Sequence, residues 1–257
     1  MCLRNILFLR LNCFDVIPIL HKEITGFFSS LVAHITIGVF LITTGLFLWI
    51  FPDSSILDYG YASLDSLFNI APYTFMFLIP AITMRSIAEE KREGTFELLA
   101  TRPISDWETI LGKYFACLLI VLFALIPTLI YYFTVYQLGL TKGNVDTGAV
   151  IGSYIGLFLL GGVFTAIGIF ASSIGKNQIV AFVIAVFLCF FAFSGFDSIS
   201  QLLSLKNIAA YLTMLSINEH YQSVSRGVLD TRDLLYFLSF ITLFLAITKT
   251  IIGSRKW

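Results

Sequence analysis

Arg85 to Lys113 reads RSIAEEKREGTFELLATRPISDWETILGK, a dense run of charge set between two long apolar segments. The contrast decides the fold, because the rest of the chain is oily: 58% of its 257 residues are hydrophobic, 12% are charged and 26 are Phe. No soluble domain of this length buries so much apolar surface, so the solvent for most of the chain is lipid. In that setting 85–113 reads as the water-facing connection between two membrane-crossing helices. The formal net charge is zero, which argues against a nucleic-acid partner, since phosphate binding needs clustered cationic surface.

Six apolar segments approach or reach the roughly 20 residues that a helix needs to cross about 30 Å of hydrocarbon. They lie at about 31–51, 66–84, 114–138, 150–173, 178–196 and 234–252. Helices are required because the bilayer has no water to bond a bare backbone, and the alternating pattern of a barrel strand is missing. The fold class is therefore all-α: a polytopic membrane protein whose six transmembrane helices form one domain over 21–257.

Six crossings put both ends on one side. With the termini inside, the inner segments carry Arg4, Arg10, Lys22, Arg85, Lys91, Arg92, Arg102, Lys113, Lys176, Lys249, Arg255 and Lys256, which is 12 of the 16 Lys and Arg. The positive-inside rule thus places the termini and 85–113 in the cytoplasm. Residues 1–20 read as an N-terminal extension ahead of a domain that begins near His21. A signal peptide is the weaker reading, because Asn12 and Asp15 interrupt the apolar run and no small-residue cleavage site follows. His21, Lys22 and Glu23 precede Phe27, Phe28 and Leu31 at a spacing that suits an amphipathic helix on the membrane surface, leading into the first span.

Cys2, Cys13, Cys117 and Cys189 form no CxxC pair, and the three histidines are scattered, so neither a metal site nor a disulfide is expected. The chain has no GxxxxGK[ST], HExxH or GxSxG, and no catalytic residue is assigned. If ATP is used, another chain binds it.

Within 85–113, Glu89, Glu90, Lys91, Arg92 and Glu93 extend the second span as a charged helix, and Gly94-Thr95 supplies the break. Phe96, Leu98 and Leu99 make an apolar patch before Arg102-Pro103 stops any helix. Ser105 and Glu108 match a capping box, with Asp106 in the first turn. Ile104, Trp107 and Leu111 follow helical spacing, so a short helix is expected along the inner membrane surface before Gly112-Lys113 leads into the third span. A hinged pair of short helices results.

This combination resembles the membrane subunits of ABC-2-type ABC transporters, in which E-(K/R)-x-x-G-T-x-E-x-L-x-(T)-x-P-I-S, then G-K, links the second and third spans. Here it runs Glu90-Lys91-Arg92-Glu93-Gly94-Thr95-Phe96-Glu97-Leu98-Leu99-Ala100-Thr101-Arg102-Pro103-Ile104-Ser105 and ends at Gly112-Lys113. More narrowly, FFSSLVAHITIGVFLITTGLFLWIFP, YASLDSLFNIAPYTFMFLIPAITMRSIAEEKREGTFELLATRPISDW and NEHYQSVSRGVLDTRDLLYFLS look like the gliding-motility-associated permease of that superfamily, the GldF type, over about 21–257. The resemblance implies a bacterial inner-membrane subunit that pairs with a soluble ATP-binding cassette subunit and with a second membrane subunit, a heterodimer being favoured over a homodimer. ATP and Mg would belong to the partner, and no cofactor to this chain. It makes 85–113 an ATPase-coupling loop, with Arg85, Glu89, Glu90, Lys91, Gly94, Thr95, Glu97, Pro103, Ser105, Trp107 and Lys113 as its candidate residues. An ion-coupled secondary transporter is disfavoured, because the span centres hold no Asp, Glu, Lys or Arg. A non-transporting scaffold of a motility or secretion apparatus is the alternative.

Pro72, Pro80 and Pro127 sit inside spans, where each removes a backbone bond and can bend a helix. Gly152, Gly156 and Gly161 in the fourth span, with Gly152-x-x-x-Gly156 in front, would let another helix approach closely. Residues 197–233 make the largest outer segment. Leu205, Ile208, Leu212 and Leu215 recur there at helical spacing, as for an in-plane helix. Glu219, His220, Arg226, Asp230 and Arg232 follow as a polar cluster. Its simplest reading is structural, with Asp230 capping the sixth span, Asp233 in the first turn, and Arg226 or Arg232 paired to an acid.

Overall fold

The computed structural model describes residues 13–52, 54–57, 63–95, 105–139, 145–202, 213–228 and 230–254. Every regular element among them is helical. Helix α1, Cys13–Phe28, precedes six helices long and apolar enough to cross a membrane. Span 1 is α2, Leu31–Trp49; span 2 joins α3, Asp65–Thr83, to α4, Ala88–Glu93. Span 3 joins α5, Asp106–Leu125, through a 3₁₀ turn at Ile126–Thr128 to α6, Leu129–Leu138. Span 4 is α7, Thr147–Ile174. Span 5 runs from α8, Gln178–Phe190, through a π-helical turn at Phe191–Gly195 into α9, Phe196–Leu202. The short α10, Ile217–Val224, comes before span 6, α11, Thr231–Gly253.

Span 4 is the centre of the bundle. In its most apolar stretch 78% of residues are buried, against 22% in spans 1 and 6, and it packs on spans 2, 3, 5 and 6. Its glycines explain how it fits. A Cβ on Gly168 would lie 2.0 Å from Thr83 Oγ1, and one on Gly161 would lie 3.1 Å from Val121 Cγ1, so the small residues bring spans 2 and 3 close, as van der Waals packing in lipid favours. Gly152 and Gly156 serve a different neighbour. Their added Cβ atoms would meet Gly227 O at 2.7 Å and Val224 Cγ1 at 2.4 Å. What approaches this face is therefore α10 of the same chain, at Gly156, and the turn that follows it, at Gly152.

Two sequence expectations change. No separate surface helix precedes Gly112-Lys113: Asp106–Leu125 is one continuous helix entered at Ser105. Gly112 costs that helix only about 1 kcal/mol relative to Ala, and its bare face takes α1, since a Cβ there would lie 2.9 Å from Ile19 Cγ2. The charged helix after span 2 does not stand free in water either. The turn Met84–Ile87 separates it from α3, and Ala88, Glu90 and Lys91 are buried. Ser172 of span 4 bridges the break by accepting from the Ile87 and Ala88 amides at 3.0 Å each and donating to the Met84 carbonyl at 3.1 Å. The expected apolar patch at 96–99, the Arg102-Pro103 stop and the in-plane helix through 205–212 lie outside the described residues.

Candidate functional site: a clasped end and an open end

At the α1 end, three elements meet through charge. Lys113 of α5 is 1% exposed, and its ammonium donates to Glu23 Oε1 of α1 at 2.6 Å and to the Ser86 carbonyl at 2.6 Å. The same ammonium lies 3.0 Å from Glu90 Oε2, close enough for an ion pair, although the angle makes no hydrogen bond. Lys22 of α1 donates to the other oxygen of Glu90 at 2.8 Å. Burial works against the Lys22 charge, yet the Glu90 carboxylate, helped by Glu23 and Glu93, outweighs it and holds the amine above the usual lysine range. Two cations and two carboxylates thus tie α1, α4 and α5 together. A buried lysine is tolerated only with such partners.

The remaining 85–113 residues fall around this clasp. Lys91 donates to the Ser173 carbonyl of span 4. Gly94 takes φ +74, ψ 3 as the left-handed C-cap that ends α4, and Thr95 Oγ1 donates to the Glu90 carbonyl at 3.4 Å. Ser105 and Glu108 form the reciprocal capping box, at 3.3 and 2.8 Å. Lys249 of span 6 lies over the Trp107 ring, 4.9 Å from its centre. A cavity of about 340 Å³ opens beside the clasp, walled by Lys22 and Glu23 on one side and by Arg85, Glu89 and Glu93 on the other. Glu97 and Pro103 lie outside the described residues. The part of Lys22 and Glu23 was missed in the sequence, where they served only to mark an amphipathic helix. Two adjacent charges in an apolar stretch were the available signal.

At the opposite end the polar cluster divides. Asp230 caps span 6 by accepting from the Arg232 amide at 3.1 Å. Asp233 is held by a histidine rather than an arginine: His220 Nδ1 lies 2.7 Å from Asp233 Oδ1, its Nε2 lies 3.0 Å from the Met214 carbonyl, and the ring stacks on Tyr236 with centroids 4.0 Å apart. Glu219, Arg226 and Arg232 make no ion pair with any described residue. Arg226 instead joins Asp65, Asn69 and Gln222 around a cavity of about 490 Å³.

A six-span helical bundle with a charged connection after span 2 is a polytopic membrane protein. The family described as ABC-2 family transporter protein matches residues 52–248, and the chain belongs to it. Members of this family are typically non-catalytic membrane subunits that work with an ATP-binding cassette subunit. No curated protein sequence matches the chain.

Proposed function

We propose that this chain is the permease subunit of an ABC transporter, coupling ATP hydrolysis on a separate subunit to export or other transmembrane movement of a substrate in support of gliding motility. The α1 end faces the cytoplasm of a bacterial inner membrane, both termini lie there, and a second, non-identical membrane subunit completes the path. The observation that supports the reading is the Lys22–Glu90–Lys113–Glu23 clasp. It joins the helix that precedes the first span to both edges of 85–113, so a push by an ATP-binding subunit on any of the three elements is carried into spans 2 and 3 together. Among the described residues, Gly94 provides the one left-handed backbone position at the edge of this unit.

The test is to purify the chain from its native membrane in mild detergent, identify what accompanies it, and compare ATP hydrolysis with that of Gly94→Val. The proposal expects an ATP-binding protein in the complex, with hydrolysis uncoupled from function in the variant while membrane insertion is kept. Absence of any ATP-binding protein would point to the scaffold instead.

A further inference from the structure

Along one face of span 2, Asp65, Asn69, Tyr73 and Phe77 follow one another at four-residue steps, and all four are exposed. Their chemistry passes from carboxylate to amide to phenol to phenyl. At 1.5 Å per residue the series covers about 18 Å, a little more than the ~15 Å of hydrocarbon in one leaflet. The two cavities beside it show the same gradation. The polar cavity of about 490 Å³ contains Asp65, Asn69 and Tyr73 with Asn218, Gln222 and Arg226. Below it, a groove of about 470 Å³ between spans 2 and 5 is walled only by apolar and aromatic side chains, including Tyr73, Phe77, Val183 and Phe187. Tyr73 lines both, so the two meet at that side chain.

An apolar groove on a membrane helix says nothing alone, because lipid tails cover such faces everywhere. The polar half distinguishes this one. The side chains of Asp65, Asn69, Gln222 and Arg226 make no hydrogen bond or ion pair with any described residue. A guanidinium and a carboxylate that share a cavity without pairing leave each available to the opposite charge of a ligand. Guanidinium matches the planar, paired oxygens of a phosphate, and a carboxylate accepts from an ammonium. The groove below takes a chain of methylenes.

We infer that this pair of adjoining surfaces binds a phospholipid whose headgroup carries both phosphate and amine, with the phosphate on Arg226, the amine on Asp65 and an acyl chain laid between spans 2 and 5. The inference deepens the permease reading by naming the class of molecule held at the far end of the path. It needs no ATP to be tested, so failure of ATP coupling and failure of this site are separate results.

The experiment reconstitutes the purified chain, with the subunits that accompany it, in bilayers containing phosphatidylethanolamine that carries a photoactivatable group in its acyl chain. Cross-linked peptides are then mapped. The expected result is labelling concentrated on 73–77 and 183–190, well above the lipid-facing 235–243 stretch of span 6, with unlabelled phosphatidylethanolamine competing and phosphatidylglycerol not. Arg226→Gln and Asp65→Asn, both at exposed positions, should each lower the enrichment by about tenfold, as loss of one charge-assisted contact implies, without changing the melting temperature. Equal labelling of span 6, indifference to the headgroup, or occupation of the groove by a peptide of another membrane subunit would each overturn the inference.

Discussion

The α1 end and the far end of the bundle treat charge in opposite ways. At the first, Lys113, Glu23, Glu90 and Lys22 bind one another within a few ångströms, and Lys113 has lost contact with water. At the second, Arg226 and Asp65 border one cavity, and their side chains bind neither each other nor any other described residue. Charges that satisfy one another hold elements in place, whereas charges left open are available to a ligand. Under the proposed function, transmission of motion falls to the α1 end and recognition to the far end.

The largest effect belongs to Lys113→Met. Removing the cation leaves Glu23 without its partner and Glu90 with Lys22 alone in a largely buried setting, which should destabilise the fold by about 3–5 kcal/mol. Thermal unfolding in detergent measures it, and adding Glu90→Gln should recover part of the loss, since neighbouring charges are not additive. Gly156→Ala comes next. Its new Cβ would sit 2.4 Å from Val224 Cγ1, and overpacking of this kind costs about 1–3 kcal/mol. Trimming the partner with Val224→Ala should restore stability, whereas a clash with a partner subunit would not respond to that change.

His220→Ala removes the hydrogen-bonding partner of Asp233, which is 7% exposed. Leaving a buried acceptor without its donor costs about 1–3 kcal/mol. Hydrogen exchange should quicken in 213–228 while α1 and α4 keep their protection. Ser105→Ala ought to cost about 1 kcal/mol through the lost cap and to loosen the entry of α5 alone. Smallest of all, Asp65→Asn and Arg226→Gln should move stability by no more than about 0.5 kcal/mol. A large loss of stability at either position would mean that the far end is clasped as well.

Much of the fold could be read in the sequence, the contrast between its two ends could not, and the reason is physical. The six spans follow from hydropathy and length, because in lipid those two properties leave a helix as the only choice. Local signals also carried through: Ser105-x-x-Glu108 gave its capping box and Gly94 its left-handed cap. Both depend on neighbours within three or four residues. The clasp depends on Lys22 and Glu23 meeting residues 68 and 90 positions away, and a charge pattern does not say which distant charge it will face. Gly112 misled for the same reason. In the sequence it ends a surface helix; in the fold it is the contact point for Ile19. The partner of Gly152 and Gly156 was likewise invisible, since a small-residue stripe states that something packs there and not what. The π-helical turn at Phe191–Gly195 has no marker that we can identify in the sequence.

The most direct test of the central claim is a pair of distances measured in the complex with and without trapped ATP. One pair of spin labels, at positions 26 and 122, spans α1 and α5 beside the clasp; the other, at 69 and 222, spans the far cavity. Gly26 has open space around it and Leu122 is exposed, so both positions take a label. The first distance is expected to change by less than about 1 Å while the second shifts by a few ångströms, as for a rigid unit driving rearrangement at a distance. A first distance that changes as much as the second, or a far cavity that ignores nucleotide, would contradict it.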